Sequence, residues 1–363
     1  MLMTETFKKL ESLAAWVFLL AGVLFFAACS GDDPVSGDDE DPDPDPGPAK
    51  SYYFNPVIRR DAPDPTVLRA QDGMFYLYST NSSAGSIPIY RSADLVNWDL
   101  VGAVFNSETY PQEPAGAQLW APEARYMNGK YVVFYSMARM NEPAFSTIGY
   151  AVSDRPDGGF VHTGIIGNSA SLDVRDAIDP FLFEENGVWY FLTGSFSQIK
   201  MYELDVADDL SSMTPILSTK KHVAGGGSWG WFEASSIYKH DGYYYYIASI
   251  GGFSFGSGYT TVMARSTSLR GPYMTRDGRR MTDNAYEVMI SGDGVRFSDT
   301  GHNSQLLEDD AGNVWIIYHG YQIANTGLGR CIFLDRVYWD EDGWPYVKGG
   351  HASTSAEAPV IIK

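Results

Sequence analysis

Cysteine is nearly absent from this chain, with two in 363 residues, Cys29 and Cys331. Cys29 closes an N-terminal leader, so no intrachain disulfide is expected and stability must come from a hydrophobic core. Basic residues are scarce too: 26 Lys and Arg stand against 45 Asp and Glu, a formal net charge of −19. That balance argues against nucleic acid and anionic membrane surfaces as partners, and suits a neutral polymer such as a plant polysaccharide. Long apolar runs are missing. The run from Leu13 to Phe26 has about 14 residues, where a bilayer-spanning helix needs ~20. No sustained 3.6-residue apolar period follows it. There is no HExxH and no Cys/His cluster for zinc. No Gly-x-Ser-x-Gly stands at a strand-to-helix turn. Gly225-Gly226-Gly227-Ser228 lacks the Lys-Ser/Thr of a phosphate loop and reads as a flexible rim.

The leader itself is informative. Lys8 and Lys9 precede the apolar run, which is the layout of a secretory signal peptide. It ends in Phe26-Ala27-Ala28-Cys29, which resembles the lipobox at which bacterial lipoproteins are cleaved and acylated. Ser30 to Pro48 then carries eight carboxylates and no basic residue, interleaved with Pro and Gly. Charge repulsion and proline make this an extended tether. Acidic residues after the lipidated cysteine resemble the surface-export signal of Bacteroidetes-type lipoproteins. The expected division is a signal peptide over 1–28, an acylated Cys29 with its tether over 29–50, and one catalytic domain over 51–363. The expected location is the outer membrane at the cell surface, held by the lipid anchor, and the expected state is a monomer.

What fills the rest of the chain is one pattern repeated. Five decapeptides share a polar turn at a glycine and then an aromatic and β-branched run: QDGMFYLYST, MNGKYVVFYS, ENGVWYFLTG, HDGYYYYIAS and DAGNVWIIYH. Their turn glycines, Gly73, Gly129, Gly187, Gly242 and Gly312, are 56, 58, 55 and 70 residues apart. Asp-Gly and Asn-Gly supply the positive φ of tight hairpins. Further strand-like segments follow several hairpins, at Tyr90-Arg91-Ser92, Ala151-Val152-Ser153 and Ala264-Arg265-Ser266. Four strands per repeat, repeated five times, predict an all-β fold, a five-bladed β-propeller of four antiparallel strands per blade.

If the hairpin joins the first strand of each blade to the second, the channel-lining residues follow by offset. Asp64, Asp179, Glu233 and His302 stand 9, 8, 9 and 10 residues before their turn glycines, and the second repeat contributes Trp120 and Glu123. A core would demand Val or Leu at such positions. Convergent carboxylates suit glycosidic cleavage: one acid protonates the leaving oxygen while a second carboxylate activates water on the opposite ring face. A third raises the pKa of the acid by like-charge repulsion. Trp120, Trp229, Trp231 and Phe232 are candidates for stacking on sugar faces.

These residues resemble glycoside hydrolase family 43, the arabinanase, arabinofuranosidase and β-xylosidase group, over roughly Asn55 to Val347. The resemblance implies Asp64, in Asp64-Pro65-Thr66-Val67, as general base, although Asp61 stands close by. It implies Glu233 as general acid and Asp179 as pKa modulator. Leu119-Trp120-Ala121-Pro122-Glu123 resembles the second-blade motif, and Arg330 the substrate-binding arginine. Gly301-His302-Asn303-Ser304 resembles the segment whose histidine often helps hold a hydrated calcium ion, while the chemistry requires no cofactor. The acid departs from the family pattern, since Glu233-Ala234-Ser235 lacks the usual proline. The resemblance implies an inverting hydrolase acting on pentose glycans, most of all on α-L-arabinofuranosyl linkages of arabinan or arabinoxylan. A β-xylosidase, xylanase or exo-galactanase, and a glycan-binding lipoprotein without catalysis, are the alternatives.

Overall fold

Asn128-Gly129, Asn186-Gly187 and Asp241-Gly242 place both turn residues at positive φ, 47° and 81°, 53° and 80°, and 46° and 79°. That is the two-residue type I′ geometry whose twist matches the flanking strands. In all five repeats the predicted turn joins two antiparallel neighbours. The computed structural model describes residues 51–227 and 231–362. The expected signal peptide, Cys29, the acidic tether and Trp229 lie outside the described residues.

The described chain is all-β, with four short 3₁₀ turns. It opens with β1 (Tyr52–Phe54). The first sheet is β2 (Thr66–Arg69), β3 (Phe75–Tyr78), β4 (Ser86–Ser92) and β5 (Asp99–Phe105). The second is β6 (Gln118–Met127), β7 (Lys130–Ala138), β8 (Thr147–Ser153) and β9 (Val161–Asn168). The third is β10 (Phe181–Glu185), β11 (Val188–Thr193), β12 (Ile199–Val206) and β13 (Met213–Ala224).

A fourth group contains β14 (Glu233–His240), β15 (Tyr243–Ile250), β16 (Thr260–Ser266) and β17 (Glu287–Ile290). The fifth contains β18 (Phe297–Gly301), β19 (Leu307–Glu308), β20 (Val314–Gln322), β21 (Cys331–Trp339) and β22 (Pro345–Val347). One parallel pair, Thr260 with Thr300, joins these two groups into a nine-stranded sheet. The last strand, β23 (Ser355–Glu357), returns to pair with β1.

The unbroken apolar run of each repeat has a packing reason. In β7, Tyr131, Val133, Tyr135 and Met137 enter a core cluster shared with the first sheet. Val132 and Phe134, on the opposite face, enter one shared with the third. A strand buried on both faces has no polar side to alternate. The same holds around the molecule: one cluster joins the third and fourth groups through Leu192 and Tyr246, and another the fourth and fifth through Ile247 and Ile316. The last joins the fifth back to the first, packing Ile317 and Trp315 with Val67 and Leu77. Each such side chain contributes about 1.5–3 kcal/mol on burial, which accounts for stability without a disulfide.

Candidate active site

Before or near the start of each group one residue without a glycine's freedom takes a left-handed backbone: Asp64 (φ 56°), Ala121 (43°), Asp179 (55°), Ala234 (57°) and His302 (48°). Such conformations cost of order 1–3 kcal/mol each and persist where surrounding structure over-determines them. Here the N–H of each is held by a side chain of the preceding group. Ala121 donates to Thr80 Oγ1 at 2.7 Å, Asp179 to Ser136 Oγ at 3.1 Å and Ala234 to Asp179 Oδ2 at 2.8 Å. His302 donates to Ser249 Oγ at 2.8 Å, and Asp64 to Nδ1 of His319 in the fifth group at 3.0 Å. The five bonds run from group to group and return to the first.

Inside this ring lies a cavity of about 380 Å³. Asp64, Trp120, Asp179, Glu233, His302 and Arg330 line it, together with Thr80, Ser195, Phe253, Arg139 and Arg175. The three carboxyl groups belong to residues only 8%, 6% and 5% exposed (Asp64, Asp179, Glu233), so desolvation acts on each.

Their surroundings separate them. Burial, the largest single influence, would raise Asp64, but the Arg330 guanidinium, 3.0 Å from Oδ1, and the neighbouring His302 and His319 together outweigh it and hold the carboxyl well below the usual range. Thr80 Oγ1 accepts from Ala121 and therefore turns its own proton to Asp64 Oδ2, at 2.6 Å. His302 and His319 each have Nδ1 at 3.3 Å from Asp64 Oδ1. Burial lowers both imidazoles, His302 to about 4, so neither carries charge near neutrality. Nδ1 of His319 is occupied as the acceptor for the Asp64 N–H, which fixes the Nε2–H tautomer and leaves no proton for the carboxylate. Near neutrality Arg330 is thus the charged partner of Asp64, beside two neutral imidazoles.

Glu233 goes the other way. Burial pushes it up to about 7, against two hydroxyl donors, Tyr259 at 2.7 Å on Oε1 and Ser195 at 2.8 Å on Oε2. Asp179 is also raised well above the usual range, first by burial and then by the neighbouring charges of Glu233 and Asp64. The two form a pair whose protons are lost in steps belonging to both. One carboxylate held ionised faces one held protonated in the same cavity, the division of labour that acid-assisted hydrolysis requires.

The model for glycosyl hydrolases family 43 matches residues 53–345. The chain belongs to that family. Among curated relatives, it is 29% identical over 293 residues to the extracellular endo-α-(1→5)-L-arabinanase 1 of Bacillus subtilis (strain 168), covering 78% of this chain and 86% of the relative. It is 30% identical over 313 residues to the extracellular exo-α-(1→5)-L-arabinofuranosidase of Cellvibrio japonicus (strain Ueda107), covering 79% and 86%. The solved α-L-arabinanase of Cellvibrio cellulosa complexed with arabinohexaose matches with a TM-score of 0.68 at 28% identity, over 80% of this chain and 96% of that one. This family 43 member is a glycosyl hydrolase.

Several expected positions are corrected. Phe232 is fully buried, edge-on to Tyr286 in the core between the third and fourth groups, and cannot reach a sugar. Trp231 is 56% exposed but does not line the cavity. Glu123 is not among the residues that line the cavity; it is buried against Arg125 and accepts from Thr66 Oγ1 at 2.9 Å. Asp61 also stays out of the cavity lining; its Oδ1 takes the Arg330 N–H at 2.9 Å and so seats the arginine. Arg330 itself lies on Asp64 and over the Phe253 ring, 4.9 Å from its centroid. Of the expected flexible rim, Gly225 donates to the Met281 carbonyl and Gly226 to Asn284 Oδ1, and a Cβ on Gly225 would meet the Ser197 carbonyl at 1.9 Å, while Ser228 lies outside the described residues. Gly252-Phe253-Ser254-Phe255-Gly256 has the spacing of a serine nucleophile motif but forms the loop between β15 and β16, not a strand-to-helix turn.

The calcium expectation meets no protein ligand set. Among the described residues no three His, Cys, Asp or Glu converge to hold a metal, and His302 faces Asp64. The family's hydrolysis needs no cofactor. Thr80, Ser195, Tyr259 and His319 are the functional positions that sequence reasoning missed.

Proposed function

We propose that this family 43 member is an inverting hydrolase of α-L-arabinofuranosyl linkages in arabinan or arabinoxylan. The observation that carries the reading is the opposite poise of Asp64 and Glu233 in one cavity. Asp64, ionised, takes a proton from a water that attacks the anomeric carbon. Glu233, protonated, gives its proton to the glycosidic oxygen as the C–O bond breaks. Asp179 grips the backbone next to the acid through Ala234, and the two buried carboxyls repel each other when both are ionised, so the pair holds its last proton to higher pH. Trp120 and Arg330 bind the sugar.

The arabinan preference rests on the arabinan-cleaving relatives. We read the five groups as the blades of a five-bladed propeller, a reading supported by the ring of five hydrogen bonds and by the core cluster joining the fifth group to the first. We further propose that a signal peptide over residues 1–28 exports the chain, that Cys29 anchors it in the outer membrane through a lipid, and that it acts as a monomer. Mass spectrometry of the mature N-terminus tests the anchor.

A panel of arabinan, arabinoxylan, xylan and galactan with product analysis tests the substrate. Proton NMR should show the first-formed anomer inverted. Release of xylose or galactose alone would move the activity to another member of the family. Binding without turnover on every glycan would leave a glycan-binding protein.

A further inference from the structure

We propose that Tyr259 is a positioning residue for the acid: it holds Glu233 Oε1 as an acceptor, so that the transferable proton sits on Oε2 and faces the substrate. The inference rests on Glu233 being the general acid. Tyr259 is 1% exposed and donates from Oη to Oε1 at 2.7 Å. It lies behind the cavity, whereas Ser195, which meets Oε2 at 2.8 Å, lines it. A carboxyl group carries one proton on either oxygen. Burial and the charges of Glu233, Asp179 and Asp64 keep the phenol protonated, and a phenol is a stronger donor and a poorer acceptor than an aliphatic hydroxyl, so Oε1 is held as the acceptor. Oε2 meets a serine hydroxyl, which can rotate to accept.

The surrounding backbone is built for this ring. Asp299, 3% exposed and without a role in the chemistry, accepts from three successive parts of the loop ahead of β16. Its Oδ1 takes the N–H of Gly258 at 2.7 Å and of Tyr259 at 3.3 Å, and Oδ2 that of Gly256 at 2.8 Å. Tyr259 stacks on His319, centroids 5.4 Å apart and planes 11° apart. A side chain at Gly301 would strike the Tyr259 ring at 2.4 Å, which explains the glycine before His302. The same loop brings Phe253 over Arg330, so one pinned segment touches both the acid and the cation that holds the base.

The test is Tyr259→Phe, which keeps the ring and its stack and removes the donor. The titratable and charged groups facing Glu233 are Asp64, Asp179 and Arg330, with Asp176 beyond Asp179, and all remain. Loss of a hydrogen bond to the charged form raises the acid further. The alkaline limb of kcat/KM should therefore move to higher pH. Turnover of the natural glycan should fall about 10- to 100-fold, the scale of one charge-assisted bond. An aryl glycoside with a good leaving group should lose far less. Gly301→Ala, which displaces the ring, should reproduce the pattern in a folded protein checked by its thermal transition. Equal losses on both substrates, or an unmoved alkaline limb, would overturn the proposal. Full glycan activity in Glu233→Gln would instead remove the reading of the acid itself.

Discussion

The backbone N–H of Asp64 donates to Nδ1 of His319 at 3.0 Å, and this bond links the first group of strands to the fifth. It is the return step of the ring that also runs through Thr80, Ser136, Asp179 and Ser249. The same aspartate carries the ionised carboxylate. Closure of the ring and placement of that carboxylate are therefore one structural event.

Replacing His319 with Ala strands the Asp64 N–H in a buried site and leaves a cavity beneath Tyr259. We expect a loss of roughly 2–4 kcal/mol in urea unfolding with an unchanged m-value. Ser249→Ala removes only the hydroxyl that receives His302 and should cost about 1–2 kcal/mol. Equal and negligible effects from both would mean that the ring contributes nothing to stability.

Much of this was legible beforehand. The turn chemistry and doubly buried second strands carry strong local signals, and Asp64, Asp179, Glu233, His302, Trp120 and Arg330 do line one cavity. Thr80, Ser136, Ser249 and His319 were not read, although each stands seven residues after its turn glycine, at the polar end of its repeat. Gly194 holds that place in the third repeat, and there Asp179 receives the next N–H instead. Phe232 and Glu123 were misplaced for a related reason. Each stands beside a bulge or a left-handed residue, which turns the chain and breaks period-2 counting.

Glu233→Gln should stabilise the fold at alkaline pH. In the folded protein Glu233 holds its proton up to about 7, whereas the unfolded chain releases it near 4.5. The raised pKa contributes stability that is fully present below 4.5 and lost as pH rises through 7. Glutamine has no proton to lose. The variant should gain about 1–3 kcal/mol over wild type at pH ~8 and show no such gain at pH ~4. Asp335, which burial raises to about 6, acts in the same sense in both proteins and cancels in the difference. A gain that does not depend on pH would contradict the assignment.

Asp64→Asn and Glu233→Gln should each lower glycan turnover by ~10²–10⁴. They should part on an aryl glycoside. A good leaving group needs little protonation, so Glu233→Gln should recover activity on it. Activation of water is needed for either substrate, so Asp64→Asn should stay equally poor. Recovery in Asp64→Asn would exchange the two roles.

Asp179→Asn should move the alkaline limb of kcat/KM downward. Asp179 and Glu233 are both raised, chiefly by burial, and Asp179 also by the charge of Glu233. Asp179 accepts one backbone N–H and Glu233 two hydroxyls, so neither is the sole owner of the last proton. The repulsion between two negative charges holds that proton whichever residue bears it. Asparagine can still accept the Ala234 N–H through its carbonyl oxygen, so the acid's backbone should stay seated. The repulsion from Asp179 vanishes, and Glu233 titrates with its burial and the charge of Asp64 to raise it. The last proton of the pair should therefore come off lower, near the value of about 7 that Glu233 has without that repulsion and still above the ordinary 4.5. The acidic limb belongs to Asp64, which Arg330 keeps low, and should shift little. An alkaline limb that stays in place while kcat drops would make Asp179 a positioning group without an electrostatic role. A limb that rises would mean that the bond position 179 accepts from the Ala234 N–H, not charge, sets the acid.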